Sequence, residues 1–543
     1  MAAPLTDEDL KQAWAVFAKH GYVHARAAQA IGMTESTFKN RIKVAMNRLG
    51  LTIPEGRAGS VHGTPVRKMP RPAQGEVRRY ILSSAQNNAS VHDETWASLM
   101  ALKKYYKAEM LISTFVYIHN QEGSAKRGSA HDAGGKDIWY DPRIEEYVCD
   151  ELIELAHGLM FCGNMNTLPT AERPLRGFES YTGRASGIFP HPRHAMVSVA
   201  SHKEDPTKFN WTTGAVTKRR YLQKRAGIRA EFHHTYGALL AEVDGDGNWF
   251  VRQLQTNDDG CIQDLDVLAF PDGSVTKGNS VEAINWGDVH IEKADSTVRK
   301  LAWGKGGMLD ALKPKRQFIH DMLDFHARSH HEMRDPHAMF ERFVEGEDSV
   351  ADALHTARDF LGKEAARDWC ETVVVCSNHD NHLERWLREA DYKLDPRNAV
   401  TFLKLQLAKY EAIAARDKRF LMLEHALVRE CGLHPNAARF LRADESYIIC
   451  KDRHGGIECG MHGDDGPNGA YGTIGGLAKM GRKANIGHSH SAGIQDGVYQ
   501  AGTSSELDLG YNRGPGSWSH SHIVTYPSGE RTIVTMWNGK WRA

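Results

Sequence analysis

The chain has 543 residues, 68 Lys and Arg against 68 Asp and Glu, and 41% hydrophobic residues, as expected of a soluble globular protein of two to four domains. No apolar run reaches the roughly 18–20 residues of a membrane span. The start, MAAPLTDEDL, has neither the basic head nor the apolar core of a secretory leader. Eight scattered cysteines with no C-x-x-C pair point to a reducing compartment, and with no span or leader read from the sequence a cytoplasmic location without a membrane partner is expected.

Charge is unevenly placed. Residues 1–75 hold 11 Lys and Arg against 5 Asp and Glu, so a basic front precedes a mildly acidic body. That asymmetry is the footprint of contact with an anionic polymer. Residues 1–51 read as three helices, at about 6–19, 23–31 and 34–49, with Thr34 as an N-cap after the Gly32-Met33 turn. The A-A-x-x-I-G-M-T-x-S-T-F pattern resembles a helix-turn-helix, with Glu35, Ser36, Lys39, Asn40 and Lys43 facing outward to meet DNA. A helical module for self-assembly is the alternative.

Residues 52–75, rich in Pro, Gly and basic side chains, read as a mobile linker. The segments RRYILSSAQ, HDETWASLMALKKYY and AEMLISTFVY predict strand, helix and strand. They open an accessory α/β domain over 76–227, with a disordered surface loop at 120–137. The D-G-D-G-N run at Asp244 lacks the Gly and Glu of a calcium loop and predicts a hairpin turn. Residues 381–430 read as helical. The C-terminal SWSHSHIVTYPSGERTIVTMW predicts a hairpin around Pro-Ser-Gly, with His520 and His522 on the strand surface.

Five clusters stand out against a background of 29 histidines: Asp288-Val-His290, Asp321 in His-Asp-Met-Leu-Asp, Asn378-His379-Asp380, His462 in Met-His-Gly, and Gly487-His488-Ser-His490. Three follow runs that read as buried strands: EAINW, RQFIH and ETVVVCS. Ligands gather beyond the carboxyl ends of strands in α/β sheets.

The order D-x-H, D-x-x-D, N-H-D, H-G, G-H-x-H resembles the calcineurin-like metallophosphoesterase superfamily over roughly residues 280–500, with His320 where that family carries Gly. Within it the chain is most similar to phage pre-early DNA-degrading nucleases and repair exonucleases. The resemblance implies an α/β fold: a metallophosphoesterase-type sheet sandwich flanked by helices over 228–543, preceded by the accessory domain and the all-α module. It implies one ion on Asp288, His290, Asp321 and His490, and a second on Asp321, Asn378, His462 and His488. It makes His379 the general acid, oriented by Asp380.

Mixed Asp, Asn and His ligation without thiolate favours two Mn ions, with Fe or Zn as alternatives. Lys293, Arg328, His330, His331, His382 and Arg385 follow motif residues and are candidate phosphate contacts, with Lys293, His382 and Arg385 taken as the substrate-binding set. The expected function is a two-metal nuclease acting on DNA, encoded by a phage or prophage and working in the host cytoplasm. Two rivals stand beside it: a phosphatase or phosphodiesterase on a small nucleotide-like substrate, and a DNA-binding regulator with a structural metal site.

Overall fold

The structure, a computed structural model, describes residues 5–19, 27–28, 30–51, 66–117, 138–453 and 455–543. It is a mixed α/β protein with several sheets, and among the described residues no helix is long and apolar enough to cross a membrane.

A six-stranded sheet sits at the centre of the second half. Its order is Arg439–Phe440, Glu371–Val374, Arg316–Ile319, Ala283–Asn285, Ser521–Thr525, Arg531–Thr535. The first four strands are mutually parallel, and the last two form the expected C-terminal hairpin. Val373, Val374, Phe318, Ile319 and Ile284 are buried on one face or the other, which is why these strands read as continuous apolar runs.

One face packs Ile284, Trp286, Ile319, Val374 and Val524 against the helices Ser296–Trp303, Val350–Asp359 and His382–Glu389. The other packs Ala283, Phe318, Val373 and Val375 against Ile449, Ile457 and Cys459 of a second sheet. The result is three layers: helices, sheet, sheet. Gln317 is buried between Trp286 and Trp303 and satisfies both indole N–H groups, at 2.9 and 3.1 Å. Its own amide donates to Ala365 O and Thr372 Oγ1.

The second sheet has eleven strands and corrects the domain boundary expected at 227/228. Strands from Leu152–Ala156 to Lys208–Thr212 continue directly into Gly493–Gln495, Val498–Gln500, Lys483–Ile486 and Ile457–Glu458. The seam is the pairing of Met196–Val199 with Gly493–Gln495. Likewise Val77–Gln86 pairs with Gly237–Asp244 in a four-stranded sheet. The region 76–227 is therefore not an appended domain: it supplies five of the eleven strands in the one sheet and two of the four in the other. Its first strand–helix–strand unit forms as expected, with Val77–Gln86 and Glu109–Phe115 parallel across Asp93–Tyr106. The turn at Asp244 is a hairpin, its carboxylate accepting from the Asp246 and Asn248 amides.

The linker expectation also needs correction at its end. Val66–Lys68 is a strand paired with Leu152–Glu154, and Arg71 donates to Gly245 O. Residues 52–65, and the loop expected at 120–137, fall outside the described residues, Trp139's neighbour Ile138 marking where description resumes.

At the front, Asp7–Lys19 and Glu35–Leu49 are helices. Thr6 and Asp9 cap each other reciprocally, and Thr34 Oγ1 accepts from Thr37 N. Phe17 and Phe38 meet edge to face with Ala13, Ala27, Ala28 and Ile42 around them. The middle helix expected at 23–31 lies mostly outside the described residues. Ser36, Lys39, Asn40 and Lys43 are exposed.

Candidate metal centre

The three parallel strands Ala283–Asn285, Arg316–Ile319 and Glu371–Val374 end side by side, and the segments after them carry Asp288 and His290, Asp321, and Asn378. Beyond its last ladder pair the chain stays paired: Val289 N donates to His320 O and His290 N to Asp321 O. From the facing sheet, the segments after Ile457–Glu458 and Lys483–Ile486 bring His462, His488 and His490. Gly487 N donates to His462 O at 2.7 Å, which locks those two segments together. Gly487 must be glycine because a Cβ there would collide with Asp288 Oδ1.

The two sheets are pinned three residues below the site. Asn485 Nδ2 donates to Asn285 Oδ1 at 2.8 Å and to Thr525 Oγ1 at 3.1 Å, while Asn485 Oδ1 accepts from Arg531. Each Asn is buried and sits three positions before a site residue, Asp288 or His488.

Seven donors then form a continuous run. Asp288 Oδ2 lies 3.1 Å from His490 Nε2, which lies 3.0 Å from His290 Nε2, itself 3.6 Å from Asp321 Oδ2. From Asp321 Oδ2 the run continues to His462 Nε2 at 3.2 Å, Asn378 Oδ1 at 3.0 Å and His488 Nδ1 at 3.2 Å. Donors bound at about 2.1 Å to one ion at right angles stand about 3.0 Å apart, close to the spacing of most neighbouring pairs in the run. Both Asp288 oxygens, Asp321 Oδ2 and His488 Nε2 are buried with no hydrogen-bond partner. Asp288, His290, Asp321 and His490 form a buried group with ligand-like spacing, as do Asp288, His320 and His462. These are His/Asp clusters that can hold a metal ion.

The electrostatics point the same way. Burial opposes ionisation of Asp288 and Asp321, yet His462 holds both carboxyls below their usual range. Burial would strip protons from His290, but Asp324 and Asp321 raise it to about 9. His462 rises to about 10 against burial, through Asp321 and Asp288. Two buried anionic carboxylates demand compensating positive charge. A divalent cation meets that demand with the same atoms.

Outer contacts fix the ring orientations. Asp324 Oδ1 stands 3.1 Å from His290 Nδ1, and Glu292 accepts the Asp324 and Phe325 amides. His320 Nδ1 lies 3.4 Å from His462 Nδ1. In both cases a polar atom stands opposite Nδ1 while Nε2 faces the donor run, the placement that metal-binding imidazoles use. His290, Asp321, His488 and His490 all have positive φ, at 42°, 42°, 75° and 57°. Left-handed backbone at a non-glycine residue costs about 1–2 kcal/mol, and such strain collects at functional sites.

His379 sits at the rim. Its amide donates to Asp321 Oδ1 at 3.2 Å and its Nδ1 lies 3.1 Å from Asp324 O. The expected orientation of His379 by Asp380 is corrected. Asp380 accepts from Leu323 N, Met322 N and Ser377 Oγ, so it clamps the turn after Asp321. Burial, then Asp321, pushes its carboxyl up to about 7.

Lys293 lines the cleft beside His379 but is paired with Glu347 at 2.6 Å. Arg328 is held by Asp395 through two 2.7 Å bonds and is structural. His382 is buried against His379, and Arg385 pairs with Glu389. His522 corrects the strand-surface reading: it is fully buried, accepts from Gly287 N at 2.9 Å and packs on Trp286. The motif order gave no sign of Glu292 or His522.

A mixed α/β body with buried His/Asp clusters is thus the class in hand. Protein A1 of Escherichia phage T5 is 39% identical over 480 residues, covering 86% of this chain and 83% of that protein, and the chain belongs to its family. No family model matches the chain, and no solved structure does.

Proposed function

We propose that this chain is a metal-dependent nuclease of the metallophosphoesterase type, phage or prophage encoded, which hydrolyses DNA phosphodiesters with two divalent ions. The observation that carries the reading is the run of seven donors that shares Asp321 between two halves, with His379 at its open edge.

On this reading Asp288, His290, Asp321 and His490 hold one ion, and Asp321, Asn378, His462 and His488 hold the other. Bound ions would supply a water-derived nucleophile at neutral pH and neutralise charge on the phosphoryl oxygens. The N/O donor set without thiolate favours Mn, with Fe or Zn as alternatives. His379, anchored through Nδ1 to Asp324, presents Nε2 to the cleft and delivers a proton to the leaving oxygen. Asp324 positions two rings at once, His290 inside and His379 outside.

The open cleft favours a nucleic acid. Tyr471, 75% exposed, lies 5.3 Å from the His488 ring, and Tyr511 borders the cleft beside His379. Exposed aromatic faces next to a phosphate site stack bases.

The deciding experiment incubates purified protein with Mn and linear, circular and single-stranded DNA, beside a chromogenic phosphodiester. Asp321→Ala is expected to lose bound metal and hydrolysis together. Full metal occupancy in that variant overturns the shared-ligand assignment. Turnover of the chromogenic ester with every DNA left intact moves the substrate to a small phosphodiester.

A further inference from the structure

Next to His379 lies a second pocket, which shares Asn378 with the donor run. Its walls are His330, His331, Asn378, His382, Arg385 and Arg388, with Asn381 and Asp464. The His330 ring lies 3.7 Å from that of His331 and 4.4 Å from that of His382, and His382 lies 4.7 Å from His379. Nδ1 of His330 and Nδ1 of His382 are both buried without a hydrogen-bond partner. His382 is itself 93% buried, at 7% exposure. Two imidazoles with idle nitrogens, and a third, exposed ring beside them, line one space.

The surrounding charge decides which kind. The group of three contains no carboxylate, unlike the buried pocket with Asp288 and Asp321. Arg385 and Arg388 stand on the same wall, and His382 opens the helix His382–Glu389, whose start favours anions. A cation would meet two guanidiniums against the single carboxylate of Asp464, whereas a phosphate would meet ring N–H donors and the guanidinium of Arg385, which Glu389 holds in place from one side at 2.7 Å. Asn378 borders both spaces, so an anion in this pocket lies next to the donor run, on the side where His379 faces the leaving group.

We propose that His330, His331, His382 and Arg385 form a second phosphate subsite, which binds the phosphate adjoining the scissile one on the leaving-group side. This rests on the nuclease reading and sharpens it: the substrate class becomes a strand with consecutive phosphates.

The test compares three probes, TpT, pTpT and TpTp, which carry the same internal phosphodiester with no terminal phosphate, a 5′ one or a 3′ one. The wild-type chain should prefer one phosphorylated form over TpT in kcat/KM by about tenfold, the worth of a charge-assisted hydrogen bond or two. In His330→Ala/His331→Ala that preference should collapse to within about twofold, with the metal count equal to wild type. Arg385→Gln removes no buried ring and should collapse it in the same direction. A preference that survives in both variants overturns the subsite, and so does a metal count that falls in the double variant, which would make the cluster a metal site. Calorimetric binding of the same probes to the full-length chain needs no turnover. If none is hydrolysed, the nuclease reading fails, and the binding preference and its loss in the variants still decide the subsite.

Discussion

Asp324 Oδ1 stands 3.1 Å from His290 Nδ1, on the far side of the ring from the nitrogen that faces His490. The carboxylate faces Nδ1 as an ion-pair partner, and Nε2 is left on the side of the donor run. Asp324→Ala is expected to lower metal affinity by about 10–100-fold, the usual cost of removing such a partner. Asp324→Asn should do less harm, because its amide oxygen keeps a partner opposite Nδ1. Metal titration of the two variants checks the order. Equal affinity in Asp324→Ala and wild type would leave His290 oriented by other contacts.

His379 is expected to serve chemistry and not metal retention. His379→Ala should keep the wild-type metal content yet lose about 10²–10⁴ in rate on DNA, the span of general acid catalysis. A substrate with a nitrophenolate leaving group, which needs no proton, should lose far less. Equal losses on both would remove the acid role.

Away from the site, three buried histidines make the fold sensitive to acid. Burial pulls His194 down to about 4 and, with Arg193 and Arg219 adding to it, His191 and His234 to about 3. Their folded values lie below the unfolded value of about 6.5. Between about pH 3 and 6.5 the unfolded chain therefore binds more protons, and stability falls as pH drops through that window. Each such ring costs about 2 kcal/mol between pH 7.5 and 5. His234→Gln should narrow the gap between denaturant midpoints at those two pH values. An unchanged gap would mean that His234 stays neutral in both states.

The front helices are separable at residue 51, and not at 75, because Val66–Lys68 is an edge strand of the eleven-stranded sheet. Residues 1–51 carry seven Lys and Arg against four Asp and Glu. Deleting them should leave hydrolysis of a small phosphodiester at the full-length rate. Apparent affinity for long DNA should fall and its salt dependence flatten, as phosphate contacts are lost. An unaltered salt slope together with a smaller particle would assign the helices to self-assembly.

The apolar runs EAINW, RQFIH and ETVVVCS announced three strands, and the three clusters that follow them do lie side by side. The rings and carboxylates that orient the donors were not legible. Asn378-His379-Asp380 puts Asp380 beside His379 in sequence, but residues 378–381 form a tight turn that sends the carboxylate back to Met322 and Leu323. His522 was misplaced because alternation was read as one solvated face, whereas the six-stranded sheet is covered on both. The eleven-stranded sheet escaped notice because its strands are short, at two to five residues, and its seam joins Met196 to Ile494. No local pattern encodes a pairing across that separation.

The placement of Ser521–Thr525 beside Ala283–Asn285 bears on how the molecule is made. The strand that delivers Asp288 lacks one of its two neighbours until the ribosome has passed residue 525. Pairings this distant in sequence form slowly, since loop closure precedes any reward. A chain still emerging, folding from its N-terminal side, holds Asp288 and Asp321 without the strand that sets them against His488 and His490. Assembly of the donor run is thus expected late in biosynthesis, once the C-terminal hairpin has docked.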